Sequence, residues 1–171
     1  MEAEGGATSA SVDTEARSIS RFLPGELIFL VPAGYYVLHI LEELPRFAEW
    51  VTEHFAAKSE LTFAVFEILT LSLVVVASYK AMQKEAHGAW VVLAVAAQIQ
   101  FLLNALFHLG TAIAFQEYSP GMVTAGSLAL LLTPYFIGRV WREGRVTAQE
   151  MTTAAGLGVA IAAGAIAALF I

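Results

Sequence analysis

Residues 89–115 read AWVVLAVAAQIQFLLNALFHLGTAIAF, a run without one Asp, Glu, Lys or Arg. A helix needs roughly 20 apolar residues to cross about 30 Å of hydrocarbon. This stretch exceeds that length, so it must tilt or protrude. Backbone N–H and C=O groups cannot be left unpaired in lipid, which makes helix the natural reading of an unbroken apolar run. Working outward, four further runs follow the same logic: Phe22–Leu44, Leu61–Tyr79, Met122–Trp141 and Met151–Ile171. The expected fold is therefore all-α, a polytopic membrane protein built as a bundle of about five transmembrane helices in one domain, 22–171. Composition agrees: 58% of the chain is hydrophobic and 14% charged, whereas soluble domains are about 45–50% apolar and about 25% charged.

The segments between the runs are short. Residues 1–21, MEAEGGATSASVDTEARSISR, are small, polar and acidic; they cannot bury enough surface to offset chain entropy and read as a disordered cytoplasmic tail. The run after them is too long for a secretory leader and ends in Glu42 and Glu43 rather than at a small-residue cleavage site. Between the first two spans, Phe47, Trp50, Val51 and Phe55 share one face of a possible helix. That pattern fits a short helix lying in the interface, or a plain loop with a Trp anchor. In the last span Gly156, Ala160, Gly164 and Ala168 recur every four residues, a spacing that lets helices approach closely.

Basic residues orient the bundle. One side collects Arg17, Arg21, Lys80, Lys84, Arg139, Arg142 and Arg145; the other holds only Arg46 and Lys58. The expectation is a multi-pass protein of the inner (plasma) membrane, N-terminus cytoplasmic and C-terminus outside. The lipid bilayer is then its first partner. A formal charge of −6 argues against nucleic acid, which needs clustered cations. The absence of Cys excludes disulfides, thiolate zinc sites and Cys nucleophiles. Oligomeric state is left open.

Ionisable side chains within a span cost about 2.5–3.5 kcal/mol each near its centre, so they rarely persist without a role. The first span carries His39, Glu42 and Glu43 near its outer end. At 3.6 residues per turn, Glu43 lies about 40° from His39 and Glu42 about 60° the other way. The third carries Gln100, Asn104, His108 and Thr111 within about 80° of one another. The second holds Glu67, with Glu60 two turns above it. His39, Glu67 and His108 all fall within about 10 Å of the outer ends of their helices. Gln98 reads as a packing amide.

Two imidazoles and two or three carboxylates, without sulfur, form a ligand set suited to Zn, Fe or Mn. His39 and Glu43 could bind an ion from one helical face, with His108 completing the site. Glu42 or Glu67 could bridge a second metal or act as general base, and Asn104 could hold an imidazole or a substrate carbonyl. The spacing is neither the HExxH of zincins nor the Glu-x-x-His of di-iron bundles. Tyr118-Ser119-Pro120-Gly121 reverses the chain between two spans; the Tyr118 hydroxyl could cap the cluster, while the other three read as turn residues. Three functions stay open: a metal-dependent enzyme, a hydrolase or oxidoreductase, acting on a lipid or other apolar molecule; a proton-linked carrier or small-molecule binder using paired carboxylates; and a polar cluster that only pins helices.

His39-Ile40-Leu41-Glu42-Glu43, Asn104-Ala105-Leu106-Phe107-His108 and Tyr118-Ser119-Pro120-Gly121 occur in that order. The trio resembles the HXXEE family of small bacterial and archaeal membrane proteins, named for HXXEE, NXXXH and YXPG motifs. The family is one of unknown function, so the resemblance implies positions and no reaction: His39, Glu42, Glu43, Asn104, His108 and Tyr118. Glu67 is added from depth and helix face alone. Because the chain has no Cys, its topology can be read by single thiols. Glu53→Cys should react with a membrane-impermeant maleimide in intact cells and Arg142→Cys only after lysis; the reverse pattern inverts the orientation.

Overall fold

In the computed structural model, which describes residues 25–83 and 88–171, the chain is a succession of helices. The tail, with Arg17 and Arg21, and Lys84 lie outside the described residues. Helix α1 opens as a 3-10 turn, Gly25–Phe29, and continues as α-helix over Leu30–Glu43. Helix α2 is Phe47–His54, α3 is Glu60–Ala81, α4 is Ala89–Phe115, α5 is Met122–Arg142 and α6 is Ala148–Ala168. Helices α1, α3, α4, α5 and α6 are long and apolar enough to cross a membrane. Their outward residues agree: Leu69, Leu73, Ile113 and Leu131 are 61%, 72%, 78% and 71% exposed, an apolar surface that suits hydrocarbon better than water.

The third expected span coincides with α4, and the amphipathic segment after α1 is a helix rather than a loop: α2 buries Phe47, Trp50 and Val51 and exposes Glu49 and Glu53. The last span begins at Ala148 rather than Met151. Thr147 and Glu150 form a capping box, the Thr147 hydroxyl accepting from Glu150 N and the Glu150 carboxylate accepting from Thr147 N. The cap satisfies free N–H groups of the first turn, so the helix starts in polar sequence that hydropathy alone passes over. Ser59 caps α3 with its hydroxyl alone, accepting from Thr62 N at 3.0 Å. Gly144, at φ +66, ends α5 in the left-handed conformation.

Helix α4 is the axis of the bundle. It packs against α3 on one side, α6 on another and α5 on a third, while α3 and α6 scarcely touch each other. At the end away from the His and Glu cluster, Ile28, Phe29, Val91, Val95, Phe136 and Val140 make a dry core. There Arg145 lies over the Phe29 ring at 4.9 Å and donates to the Ala81 carbonyl at 3.0 Å, joining the foot of α3 to the turn that precedes α6. Gln98 is the packing amide expected of it, donating to Thr133 Oγ1 at 2.8 Å.

The small-residue contact on α6 is Ala154, Gly158 and Ala162, all buried against α4; Gly156, Ala160, Gly164 and Ala168 are exposed. Both stripes have the same spacing, and contact with the wall of α4 selects between them. A Cβ at Gly158 would stand 2.7 Å from Ala96 O and 2.9 Å from Ile99 Cβ, whereas one at Gly156 would meet nothing within 4 Å. Gly158→Ala should therefore lose about 1–3 kcal/mol by overpacking. Gly156→Ala should lose nothing; thermal unfolding in detergent distinguishes the two.

Candidate functional site

Helix α1 turns Tyr35, Tyr36, His39, Ile40 and Glu43 inward, and α4 turns Ala105 and His108 toward them. His39 and His108 are fully buried and Glu43 is 4% exposed. Glu43 Oε1 lies 3.5 Å from His39 Nε2 and 3.1 Å from His108 Nε2, and one ligand atom from each residue falls within 4.8 Å of the others. The two imidazoles meet edge to face with centroids 5.1 Å apart.

The far nitrogens are held by hydroxyls. His39 Nδ1 is 2.8 Å from Thr124 Oγ1, and that hydroxyl donates to Gly121 O at 3.2 Å, so it accepts from the imidazole N–H. His108 Nδ1 is 3.0 Å from Ser119 Oγ, which also receives the Thr111 hydroxyl. A proton on His39 Nδ1 leaves its Nε2 as an acceptor, whereas Ser119 can donate to or accept from His108 Nδ1, so the His108 proton stands either there or on the Nε2 that faces Glu43. His108 Nε2 is buried and lies within ion-pair reach of Glu43, yet it lacks the geometry of a hydrogen bond. Asn104 approaches from one turn below His108, its Nδ2 2.9 Å from His39 Nε2, the nitrogen that faces the cluster.

The turn after α4 does more than reverse the chain. Ser119 is fully buried on His108, and Gly121, at φ +95, lies against the cluster. A Cβ there would stand 2.7 Å from His39 Cε1, 2.9 Å from His108 Cε1 and 3.0 Å from Glu43 Cγ. Ser119 and Gly121 are thus part of the site, contrary to their reading as plain turn residues. The only signal for them was their place in the same tetrapeptide as Tyr118.

Glu42 and Glu43 are adjacent in sequence but engage different partners. Glu42 accepts from Val123 N at 2.9 Å and Thr124 N at 2.7 Å and from the Tyr118 hydroxyl. It covers free N–H groups at the start of α5, where a negative charge is favoured. Burial, together with the Glu42 carboxylate it donates to, pushes the Tyr118 phenol up to about 12. The structure therefore brings His39, Glu43 and His108 together, with Asn104 beside them, and ties Glu42 of α1 to Tyr118 and the start of α5.

Glu67 is 5% exposed and accepts from the Tyr36 hydroxyl at 2.6 Å. It joins His39, Glu43 and Asn104 in lining a cavity of about 400 Å³ between α1, α2, α3, α4 and α6. Tyr36, three residues before His39, went unnoticed in the sequence because a tyrosine in an apolar run looks like packing. Helix α2 roofs the cavity with Phe47, Ala48 and Val51, the Phe47 ring 5.6 Å from the His108 ring. The roof is tied down at its far end, where Trp50 Nε1 donates to Glu117 Oε1 and His54 Nε2 lies 3.1 Å from the same oxygen.

A family model described as a protein of unknown function with HXXEE motif matches residues 29–137, a stretch that holds all the clustered residues and the turn. No curated protein and no solved structure matches the chain. The Gly121 geometry gives a direct check of how closely the turn is fitted. Gly121→Ala should lose about 1–3 kcal/mol from the left-handed backbone alone, with displacement of both imidazoles in addition. Gly110→Ala, where a Cβ meets nothing within 4 Å, should be neutral in the same thermal unfolding series.

Proposed function

The chain belongs to the HXXEE family, and for this member we propose a membrane enzyme whose metal ion is held by His39, Glu43 and His108 and whose substrate is a lipid or another apolar molecule. One observation carries the reading: His39, Glu43 and His108, all buried, each bring a ligand atom within 4.8 Å of the others, and the Nε2 of His108 has no hydrogen-bond partner. Ligand atoms on a tetrahedral ion of this kind stand about 3.3 Å apart; Glu43 Oε1 is 3.1 and 3.5 Å from the two nitrogens, and the three ligand atoms lie within 4.8 Å of one another, so the set closes slightly on an ion. Nitrogen and oxygen donors without sulfur favour Zn, Fe or Mn. Thr124 and Ser119 hold the far nitrogens, the outer hydrogen bonding that orients metal-binding histidines. The Asn104 amide, rotated end over end, offers Oδ1 as a further oxygen.

A bound ion would supply Lewis-acid polarisation of a substrate oxygen or activation of water. Glu67, on the same cavity and carrying the Tyr36 hydroxyl on one oxygen, is the group placed to accept or return a proton. Glu42 and Tyr118 act through the loop: they hold Val123 and Thr124 in place, and Thr124 holds His39. The distribution of Lys80, Arg139, Arg142 and Arg145 against Arg46 and Lys58 supports a site in the outer half of the membrane, with the N-terminus cytoplasmic.

The carrier reading rested on paired carboxylates, and Glu42 and Glu43 have separate partners, so it loses that support. A cluster that only pins helices remains the direct competitor. Elemental analysis of the detergent-purified protein separates the two. Near-stoichiometric Zn, Fe or Mn is expected in the wild type and its loss in His39→Ala, His108→Ala; a metal-free wild type, even after reloading, overturns the metal reading.

A further inference from the structure

Because α3 and α6 both lean on α4 and scarcely touch each other, the cavity is open along the side between them. Thr62, Phe63, Phe66, Glu67 and Thr70 line it from α3, one helical face spanning about 12 Å of depth. Ile161, Gly164 and Ala165 line it from α6. At the edges of the slot Phe66 is 51% and Ile161 44% exposed, although both also line the cavity. From above the way is covered, since α2 lays Phe47, Ala48 and Val51 over it. The route left open runs sideways, through the apolar faces of two helices of membrane-spanning length.

The slot is chemically graded. Its walls are apolar, its back carries His39, Glu43, Glu67 and Asn104, and its upper end carries Lys58. Among the described residues no carboxylate pairs with the Lys58 ammonium, neither Glu53 nor Glu60 included. A cation left without a partner at the mouth of an apolar cavity, on the side where α3 begins, complements an anionic group held at the membrane surface. A cavity of about 400 Å³ accommodates a ligand of drug size, which one hydrocarbon chain satisfies.

We propose that the slot between α3 and α6 is a lateral entrance for an amphiphile with a hydrocarbon chain and an anionic head, the chain passing between Phe66 and Ile161 and the head resting on Lys58. This identifies the substrate class of the proposed enzyme and rests on that reading of the site. The head stays at the surface while the linkage below it reaches the depth of His39 and Glu67.

The test is equilibrium binding of radiolabelled stearate to the full chain in nanodiscs of phosphatidylcholine, with metal content measured on the same samples. Saturable binding of one stearate per chain is expected. Gly164→Trp should abolish it and Gly164→Ala should keep it: Gly164 lines the cavity and a Cβ there meets nothing within 4 Å, so the alanine is accommodated whereas an indole competes for the slot. Lys58→Gln should weaken stearate by about fivefold and leave stearyl alcohol unchanged. Lysophosphatidic acid, run in parallel, tells a phosphate head from a carboxylate one. Stearate binding indifferent to Gly164→Trp overturns the entrance, and stearyl alcohol binding as tightly as stearate overturns the anionic head. Metal without stearate sinks the slot and leaves the metal site standing. Stearate binding that persists in a metal-free His108→Ala protein supports the slot independently of the ion, and stearate binding by a wild type that stays metal-free after reloading supports the slot and sinks the metal.

Discussion

Glu43 is an almost fully buried carboxylate at the back of the cavity, and ring nitrogens of His39 and His108 approach it from two helices. A carboxylate so buried needs a proton or a cation between it and those nitrogens, and breaking a buried ionic set costs several kcal/mol in most settings. The surrounding structure follows from that constraint. Helices α1 and α4 must hold one register against each other. The imidazoles must be turned so that Nε2 faces inward, which assigns Thr124 and Ser119 to the Nδ1 side. The turn carrying Ser119 must then pass so close that only glycine fits at position 121. One buried carboxylate thus dictates side chains on α1 and α4, the loop after α4 and the first turn of α5.

The loop is held from the other direction by Glu42. Its two oxygens take the Val123 and Thr124 N–H groups and the Tyr118 hydroxyl. Adjacent glutamates therefore divide the work: one stands inside the cluster and its neighbour fastens the segment that closes over it. Both consequences follow from the 100° turn between successive residues of a helix. That turn sends Glu43 toward α4 and Glu42 toward the start of α5.

Much of this was legible in the chain, for reasons that differ by feature. Helices of membrane length announce themselves through uninterrupted apolar runs, and α4 has the bounds read from residues 89–115. The common depth of His39, Glu67 and His108 was visible because rise per residue is constant along a helix, and His39 and Glu67 do line one cavity. Helical angles put both Glu42 and Glu43 on the same arc as His39; nothing in them reveals that backbone N–H groups of a later loop would claim Glu42. The face of α6 that packs was ambiguous because two stripes of small residues share one spacing, and only the carbonyl of Ala96 and the side chain of Ile99 decide between them. The start of α6 was misplaced since a capping box stabilises a helix with polar residues, to which hydropathy is blind. Tyr36, Ser119 and Thr124 acquire meaning only from what folds against them.

The tie between Arg145 and the Ala81 carbonyl has a mechanical meaning. It joins α3 to the approach of α6 at the foot of the bundle, whereas among the described residues no hydrogen bond or ion pair joins their upper ends, which meet through the Phe47, Trp50 and Val51 cluster of α2. Two rods pinned at one end move like the arms of tongs: displacement grows with distance from the fulcrum, and a small rotation at the foot becomes a wide excursion at the tip. Any yielding of the pair would thus be least beside the Phe29 and Phe136 core and greatest beside Lys58 and Leu169. Such a device grips by angle, and how far its arms part sets the depth to which something between them can sink.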